Sequence, residues 1–302
     1  MKRLVVLLGV AGVSLSAVFV RWSTAPSLVL AFYRMAFSVL LLAPLAAARR
    51  EAFRAVQRRE LLLSLISGAF LGVHFACYFE SLRWTSIAAA VVLVDTEVLF
   101  VALASVLLFR KKLGGRAWLA VLLAFGGSVL VALADAGEGG TALRGNLFAL
   151  AGSVCMAVYT MLGAVCRRRL STTVYTFFVY LSAAGTVQLA SLAAGTPGLQ
   201  ELLADLMQQM MWGTGSVNLL AGLGMAVFCT LLGHSVFSWG LKYLPPAFIA
   251  TANLLEPVLA AVWGLFLFSE RPGLQVVLGG VMILMGIALY SRAETEAQEG
   301  RV

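Results

Sequence analysis

Long apolar runs dominate the chain, and short polar or turn-forming stretches separate them. A helix needs about 20 apolar residues to cross a hydrocarbon core about 30 Å thick. Runs of that length predict ten transmembrane helices, at residues 4–21, 27–47, 61–81, 86–108, 116–134, 145–166, 172–193, 217–241, 245–268 and 273–291. Little remains for a water-soluble domain, so the pattern predicts an all-α polytopic membrane protein.

Two connections are longer than a turn. Residues 49–60 are rich in arginine, which is typical of a cytoplasmic surface segment. Residues 195–216 carry apolar side chains at helical spacing with acidic residues between them, which predicts a short interfacial helix on the outer face. This helix would either cover that face passively or gate it.

An internal repeat relates the two halves of the chain. A shift of 159 residues aligns 82–112 with 241–271, places Glu97 on Glu256, and continues to Gly127 on Gly286. Because five spans per half is an odd number, the second half must be inverted relative to the first. Inverted repeats are the architecture of many secondary transporters, whose substrate site lies between the repeats near the midplane.

Composition agrees with this interpretation. The 302 residues are 61% hydrophobic and only 12% charged, with a mean hydropathy of +0.94, whereas roughly a quarter of the residues of soluble domains are charged. The net charge of +8 does not indicate nucleic acid, because the basic residues form short clusters between apolar runs. All four cysteines fall in apolar segments without CxxC spacing, so we expect no disulfide and no metal site.

The basic residues also set the orientation, because basic loops stay cytoplasmic. With both termini inside, seventeen of the 22 basic residues lie on the inner side and four, Arg21, Arg83, Arg144 and Arg271, on the outer side; Arg34 lies within the second span. We therefore predict an integral protein of the cell membrane with cytoplasmic termini. A cleaved secretory signal at the basic, apolar N-terminus is the alternative, and it would leave nine spans.

Four short stretches resemble one family: Phe32-Tyr33-Arg34, SLRWTS at 81–86, LEPVL at 255–259 and LFSER at 267–271. In their order and spacing over nearly the whole chain, the sequence resembles EamA-type members of the drug/metabolite transporter superfamily. The resemblance implies two inverted five-helix repeats, at 1–140 and 141–292, followed by a polar cytoplasmic tail at 293–302. It also implies a central cavity that carries metabolites without a cofactor, often exporting amino acids or related compounds.

Ionisable residues at membrane depth are the candidates for chemistry, because each costs about 2.5–3.5 kcal/mol to insert. Glu97 and Glu256 each lie about 16 Å from the start of their helix, near the midplane. The inverted repeat would place both around one cavity, where they would bind a cationic group or carry a proton. The alternative is a structural hydrogen bond or ion pair that locks helices together.

The neighbours of these glutamates extend the candidate site. Asn253 shares a helix face with Glu256, and Pro257 leaves the carbonyl of Asn253 without its helical N–H partner. This arrangement suits a substrate or proton site, or only a packing kink. Asp95 and Glu97 lie about 200° apart on a straight helix, so we expect only one of them to face the cavity.

Arg34 lies about 10 Å into its span and Asp95 about 13 Å into its own. We predict a structural ion pair between them, with a carboxylate-binding role for Arg34 as the alternative. His74, as a proton relay, and Tyr78 and Trp239, as cavity-lining aromatic residues, complete the candidates. Packing is the alternative for each of these three.

The functional prediction is a secondary transporter that moves small molecules by alternating access, embedded among membrane lipids and without nucleic-acid partners. A channel or lipid scramblase is the first alternative, although the rings of polar residues that line channels are missing from the pattern. A membrane enzyme is more remote, because HExxH, GxSxG and Walker motifs are absent and Asp95 is the only aspartate at mid-membrane depth.

Overall fold

The computed structural model describes residues 2–101, 103, 114–134, 141–212, 216–244, 249, 252–253 and 255–299. Regular structure in these ranges is helical throughout, which confirms the all-α fold class. We label the helices α1 (Lys2–Ser14), α2 (Ser16–Trp22), α3 (Ser27–Ala48), α4 (Arg50–Arg54), α5 (Arg58–Trp84), α6 (Ile87–Val94), α7 (Gly115–Ala134), α8 (Thr141–Cys166), α9 (Thr172–Ala193), α10 (Gly198–Trp212), α11 (Val217–Gly224), a π-helix (Met225–His234), α12 (Ser235–Gly240), α13 (Leu255–Phe268) and α14 (Leu274–Glu299).

Six helical segments of the described ranges are long and apolar enough to cross a bilayer: Leu4–Trp22, Ser27–Ala48, Arg58–Trp84, Ala142–Cys166, Thr172–Ala193 and Val217–Gly240. They coincide with predicted spans one to three and six to eight. Shorter apolar helices occupy the fifth and tenth predicted spans, at Gly115–Gly127 and Leu274–Gly286. Parts of the fourth and ninth predicted spans lie outside the described residues, so the count of ten stays a prediction.

The fourth predicted span is not one continuous helix. The α6 helix ends at Val94, Asp95 and Thr96 form a turn, and helical structure resumes at 97–101. Around the turn the backbone bonds shorten to three-residue spacing: Thr96 N–H donates to Leu93 O and Leu99 N–H donates to Thr96 O. A discontinuous helix at membrane depth is a device by which transporters place polar groups at a site.

The eighth predicted span also departs from a plain α-helix, because the ten residues Met225–His234 form a π-helix. Segments of π-helix are rare and are concentrated at functional sites. Each wider turn changes which side chains share a face, so positions beyond Met225 cannot be assigned to a face from a period of 3.6 residues.

The two long connections form helices, and the C-terminal boundary differs from the prediction. The α4 helix lies in the arginine-rich segment, and α10 forms where the interfacial helix is predicted. Asp205 of α10 accepts a hydrogen bond of 2.9 Å from the hydroxyl of Tyr33, which ties α10 to α3. The α14 helix continues to Glu299, beyond the predicted end of the tenth span at residue 291, so most of the predicted polar tail is helical.

Glycines mark the closest helix contacts. A Cβ atom on Gly68 would lie 2.3 Å from the carbonyl oxygen of Val179, so α5 and α9 pack backbone against backbone. The repeat-aligned glycines form a second such seam between α7 and α14. A Cβ atom on Gly127 would lie 2.6 Å from a carbonyl oxygen of α14, and one on Gly286 would lie 2.7 Å from a carbonyl oxygen of α7. Any side chain there forces the helices apart.

Candidate functional site

A buried cavity between the helices brings seven of the eight sequence-predicted site residues together. Its lining consists of Val13, Ser16, Arg34, His74, Phe75, Tyr78, Val94, Asp95, Glu97, Met156, His234, Phe237, Asn253 and Glu256. The space inside it that a water-sized sphere can enter is about 20 Å³, which is room for one or two water molecules. The cavity is therefore polar but narrow.

Trp239 is the predicted residue that the structure leaves outside the cavity lining. Its ring lies 5.0 Å from the ring of Tyr243, centroid to centroid, and its side chain is half-buried. Phe237, two positions earlier, faces the cavity instead. Two residues correspond to about 200° of helical rotation, so the two rings point to different sides of α12.

Arg34 is 1% exposed, and its contacts correct the predicted ion pair with Asp95. Its Nη1 donates to the hydroxyl of Ser16 and its Nε to the hydroxyl of Thr230, each over 2.9 Å. The guanidinium also lies 4.0 Å above the ring of Phe75. The described residues contain no ion pair between Arg34 and Asp95, because hydroxyl groups and an aromatic face occupy the guanidinium instead.

The break in the fourth span places two carboxylates on one cavity. Asp95 is 5% and Glu97 4% exposed, and both line it. Thr96 fixes the turn between them, since its hydroxyl donates to Leu93 O over 2.6 Å and lies 3.0 Å from the hydroxyl of Ser153. The prediction that only one acid could face the cavity is wrong, because it assumed a straight helix.

The ninth predicted span contributes an amide and a third carboxylate. Asn253 is 6% and Glu256 8% exposed. Asn253 and Glu97 line the same cavity, so the repeat-aligned regions meet there. Glu256 lines the same cavity as Arg34, Asp95 and Glu97.

Two histidines and a tyrosine complete the polar lining. His74 Nδ1 lies 3.0 Å from the carbonyl oxygen of Gly152, and its ring stacks on that of Tyr78 at 6.0 Å. His234 closes the π-helix and lies against the cavity. The candidates drawn from the sequence include neither His234 nor Ser16, and both line the cavity. The π-helix, which the apolar pattern does not signal, brings His234 to this face.

The cavity concentrates polar atoms that have no hydrogen-bond partner among the described residues. They are Arg34 Nη2, the Tyr78 hydroxyl, Asp95 Oδ2, Glu97 Oε2, His234 Nδ1 and Asn253 Oδ1. Each buried, unpaired polar group costs about 1–3 kcal/mol. Six such atoms in one cavity, among them a guanidinium nitrogen and two carboxylate oxygens, are therefore typical of a site that binds a polar ligand.

A polar cavity with charges of both signs, enclosed by helices apolar enough to cross a bilayer, defines a class of membrane proteins that bind small molecules at membrane depth. The EamA-like transporter family matches this chain twice, at residues 2–133 and 143–292, and the protein belongs to that family.

Relatives are similar over most of their length. The pseudopaline exporter CntI of Pseudomonas aeruginosa is 24% identical over 275 residues, which cover 90% of this chain and 88% of that protein. Two proteins of Archaeoglobus fulgidus named as uncharacterized transporters are 24% and 27% identical, and the matches cover 86% and 91% of each chain. A solved crystal structure superposes with a TM-score of 0.65 over 95% of both chains at 19% identity, which shows the fold alone.

Proposed function

We propose that this protein is a secondary transporter that exports small metabolites, amino acids or related compounds, by alternating access around the cavity. The main support for the proposal is the set of six polar atoms without a hydrogen-bond partner in one buried cavity, which includes atoms of a cationic and of two acidic side chains. The family match supports transport, and the name of the Pseudomonas relative supports the export direction.

The proposed architecture is ten spans in two inverted repeats with both termini in the cytoplasm. Two successive matches to one family support the repeat, as does the meeting of the aligned glutamates Glu97 and Glu256 at one cavity. A C-terminal alkaline phosphatase fusion tests the orientation, and periplasmic activity would contradict it.

The narrow cavity supports a carrier rather than a channel. Room for one or two water molecules does not hold a metabolite, so cargo enters only when the surrounding helices separate. A carrier that opens to one side at a time has this requirement, whereas an open pore does not.

The distribution of charge defines what the cargo carries. Arg34, with its free Nη2, binds an acidic group of the cargo, and a carboxyl group is the natural match for a guanidinium. Asp95, Glu97 and Glu256 face a basic group of the cargo. Three acids against one arginine leave an excess of negative charge that the cargo or bound protons neutralise.

Counterflow into proteoliposomes loaded with amino acids, amines or nucleosides tests this function. We expect saturable exchange of a compound that carries both an amino and a carboxyl group, and Arg34→Gln should abolish it. Flux that rises linearly with concentration in the parent protein would indicate a channel. Lipid movement without exchange of any solute would indicate a scramblase.

A further inference from the structure

The arginines on the proposed outer side make specific contacts with other spans. Arg83 donates to the hydroxyl of Ser27, and Arg144 lies 4.5 Å above the ring of Trp84. Arg21 also has an acidic partner: its Nη2 donates to Thr85 O over 2.9 Å and pairs with Glu270 Oε1 at 3.3 Å. This ion pair links the first predicted span to the end of the ninth.

The carboxylate of Glu270 has a second contact, on a third span. Its Oε2 accepts a hydrogen bond of 3.1 Å from the N–H of Ile87, the first residue of α6. The N-terminal N–H groups of a helix have no partner within the helix, so a carboxylate there is doubly favoured by a hydrogen bond and by the helix dipole. Glu270 thus holds the ends of α2, α6 and α13 at one point.

The loop that carries Glu270 is shaped for this contact. Ser269 has a φ of +57°, in the left-handed region that residues other than glycine seldom adopt. The next N–H, that of Glu270, then donates to the carbonyl oxygen of Gly264 over 3.1 Å. The chain folds back on α13, and the carboxylate reaches both α2 and α6.

Each span that Glu270 joins also carries a cavity residue. Ser16 lies on α2, Asp95 directly follows α6, and Glu256 lies on α13. While both contacts of Glu270 are intact, the outer ends of the three spans stay together. The cavity is then closed to the outer side.

We propose that Glu270 is the outer latch of the transport cycle, which holds these three spans together while the cavity is closed to the outside. This inference rests on the proposed transport function. The side chains of Arg21 and Glu270 are 31% and 27% exposed, so water competes for both charges and the contact breaks readily. A latch that opens in every cycle requires such reversibility.

Access to the cavity from outside tests the latch without any cargo. Met156→Cys places a thiol in the cavity lining, in a background whose four native cysteines are replaced by alanine and whose melting temperature is retained. A membrane-impermeant thiol reagent is then added on the outer side. We expect Glu270→Gln, which removes the charge from both contacts of Glu270, to raise the labelling rate about tenfold. Arg21→Gln removes the ion pair and the bond from Arg21 Nη2 to Thr85 O but leaves the charge of Glu270 at Ile87, so we expect it to raise the rate less.

Glu80→Gln is the matched control. Glu80 lies near the same end of the protein, but its carboxylate accepts from Trp84 Nε1, one turn along the same helix, over 2.8 Å. Equal labelling rates for Glu270→Gln, Arg21→Gln and Glu80→Gln would overturn the latch. If Glu270→Gln does not fold, Arg21→Gln still decides the question.

The two proposals fail separately. Unchanged labelling in a protein that exchanges cargo would remove the latch and leave the transporter. A parent protein that exchanges no solute would contradict the transport function, whatever the labelling rates.

Discussion

Arg34 and Arg167 are both almost completely buried, at 1% and 2% exposure, and neither has an ion-pair partner among the described residues. All three side-chain nitrogens of Arg167 are used: Nε donates to Ser238 O over 2.8 Å, Nη1 to Leu170 O, and Nη2 to the hydroxyl of Thr172 over 2.7 Å. Arg34 uses only Nε and Nη1, and its Nη2 is left at the cavity.

The difference distinguishes a structural arginine, Arg167, from a proposed binding residue, Arg34. Arg167 joins the end of α8 to α9 and α12, and its hydrogen bonds are complete within the protein. Arg34 is held in place by the hydroxyl groups of Ser16 and Thr230, and its Nη2 remains free to donate to a ligand. Burial alone therefore does not mark an arginine as a candidate for binding, whereas an unused donor that faces a cavity does.

The largest expected effect is that of Arg34→Gln on cargo binding. Loss of a buried charge that faces the partner group typically costs about 2–5 kcal/mol, so we expect affinity to fall about 100-fold. Calorimetric titration of the purified protein with a cargo found by counterflow measures it. Unchanged affinity would show that Arg34 is a structural arginine like Arg167.

Arg167→Gln should act on stability instead. It leaves two carbonyl oxygens and a hydroxyl without their donor, and we expect unfolding to become easier by about 2–4 kcal/mol. Thermal unfolding in detergent measures this, and cargo affinity of the folded fraction is the control. A loss of affinity without a loss of stability would contradict the assignment of Arg167 as a structural arginine.

Glu256→Gln should impair transport more than folding, because the amide keeps the shape of the side chain and loses a charge that faces the same cavity as Arg34. We expect exchange to slow about tenfold at normal expression, in line with about 1.4 kcal/mol. Counterflow at matched protein amounts is the measurement. Full flux would reduce Glu256 to a packing residue.

Glu97→Gln should have a smaller effect, about threefold on affinity, because Asp95 and Glu256 still face the cavity and a basic group of the cargo. An amine binds the ionised carboxylate, so affinity of the parent should fall as the pH is lowered, and the variant should respond less. Titrations at several pH values in parallel with Asp95→Asn check this. An identical pH response in parent and both variants would exclude these acids from the site.

The smallest effect is expected of Trp239→Phe, because Trp239 lies against Tyr243 and outside the cavity lining. Cargo affinity should stay within about twofold of the parent, as for a substitution outside the site. The same titration measures it. A tenfold loss would require a cavity larger than the one described.

Apolar runs predicted most of the helices, because the bilayer imposes their length. The repeat alignment also predicted that Glu97 and Glu256 belong together, and both line the cavity. The partners of Arg34 were not predictable in this way. They depend on the break after Leu15 and on the π-helix, and a pattern with a fixed period contains no information about where the period changes.

The seam between α7 and α14 has a consequence for any survey of variants. Because Gly127 and Gly286 leave no space for a methyl group, every substitution there should reduce the amount of folded protein. A growth screen that scores only the proposed transport would rank these glycines with Arg34, although they lie at a helix contact outside the cavity lining. Protein abundance, measured alongside transport for every variant, separates substitutions that prevent folding from substitutions that remove a charge from the cavity.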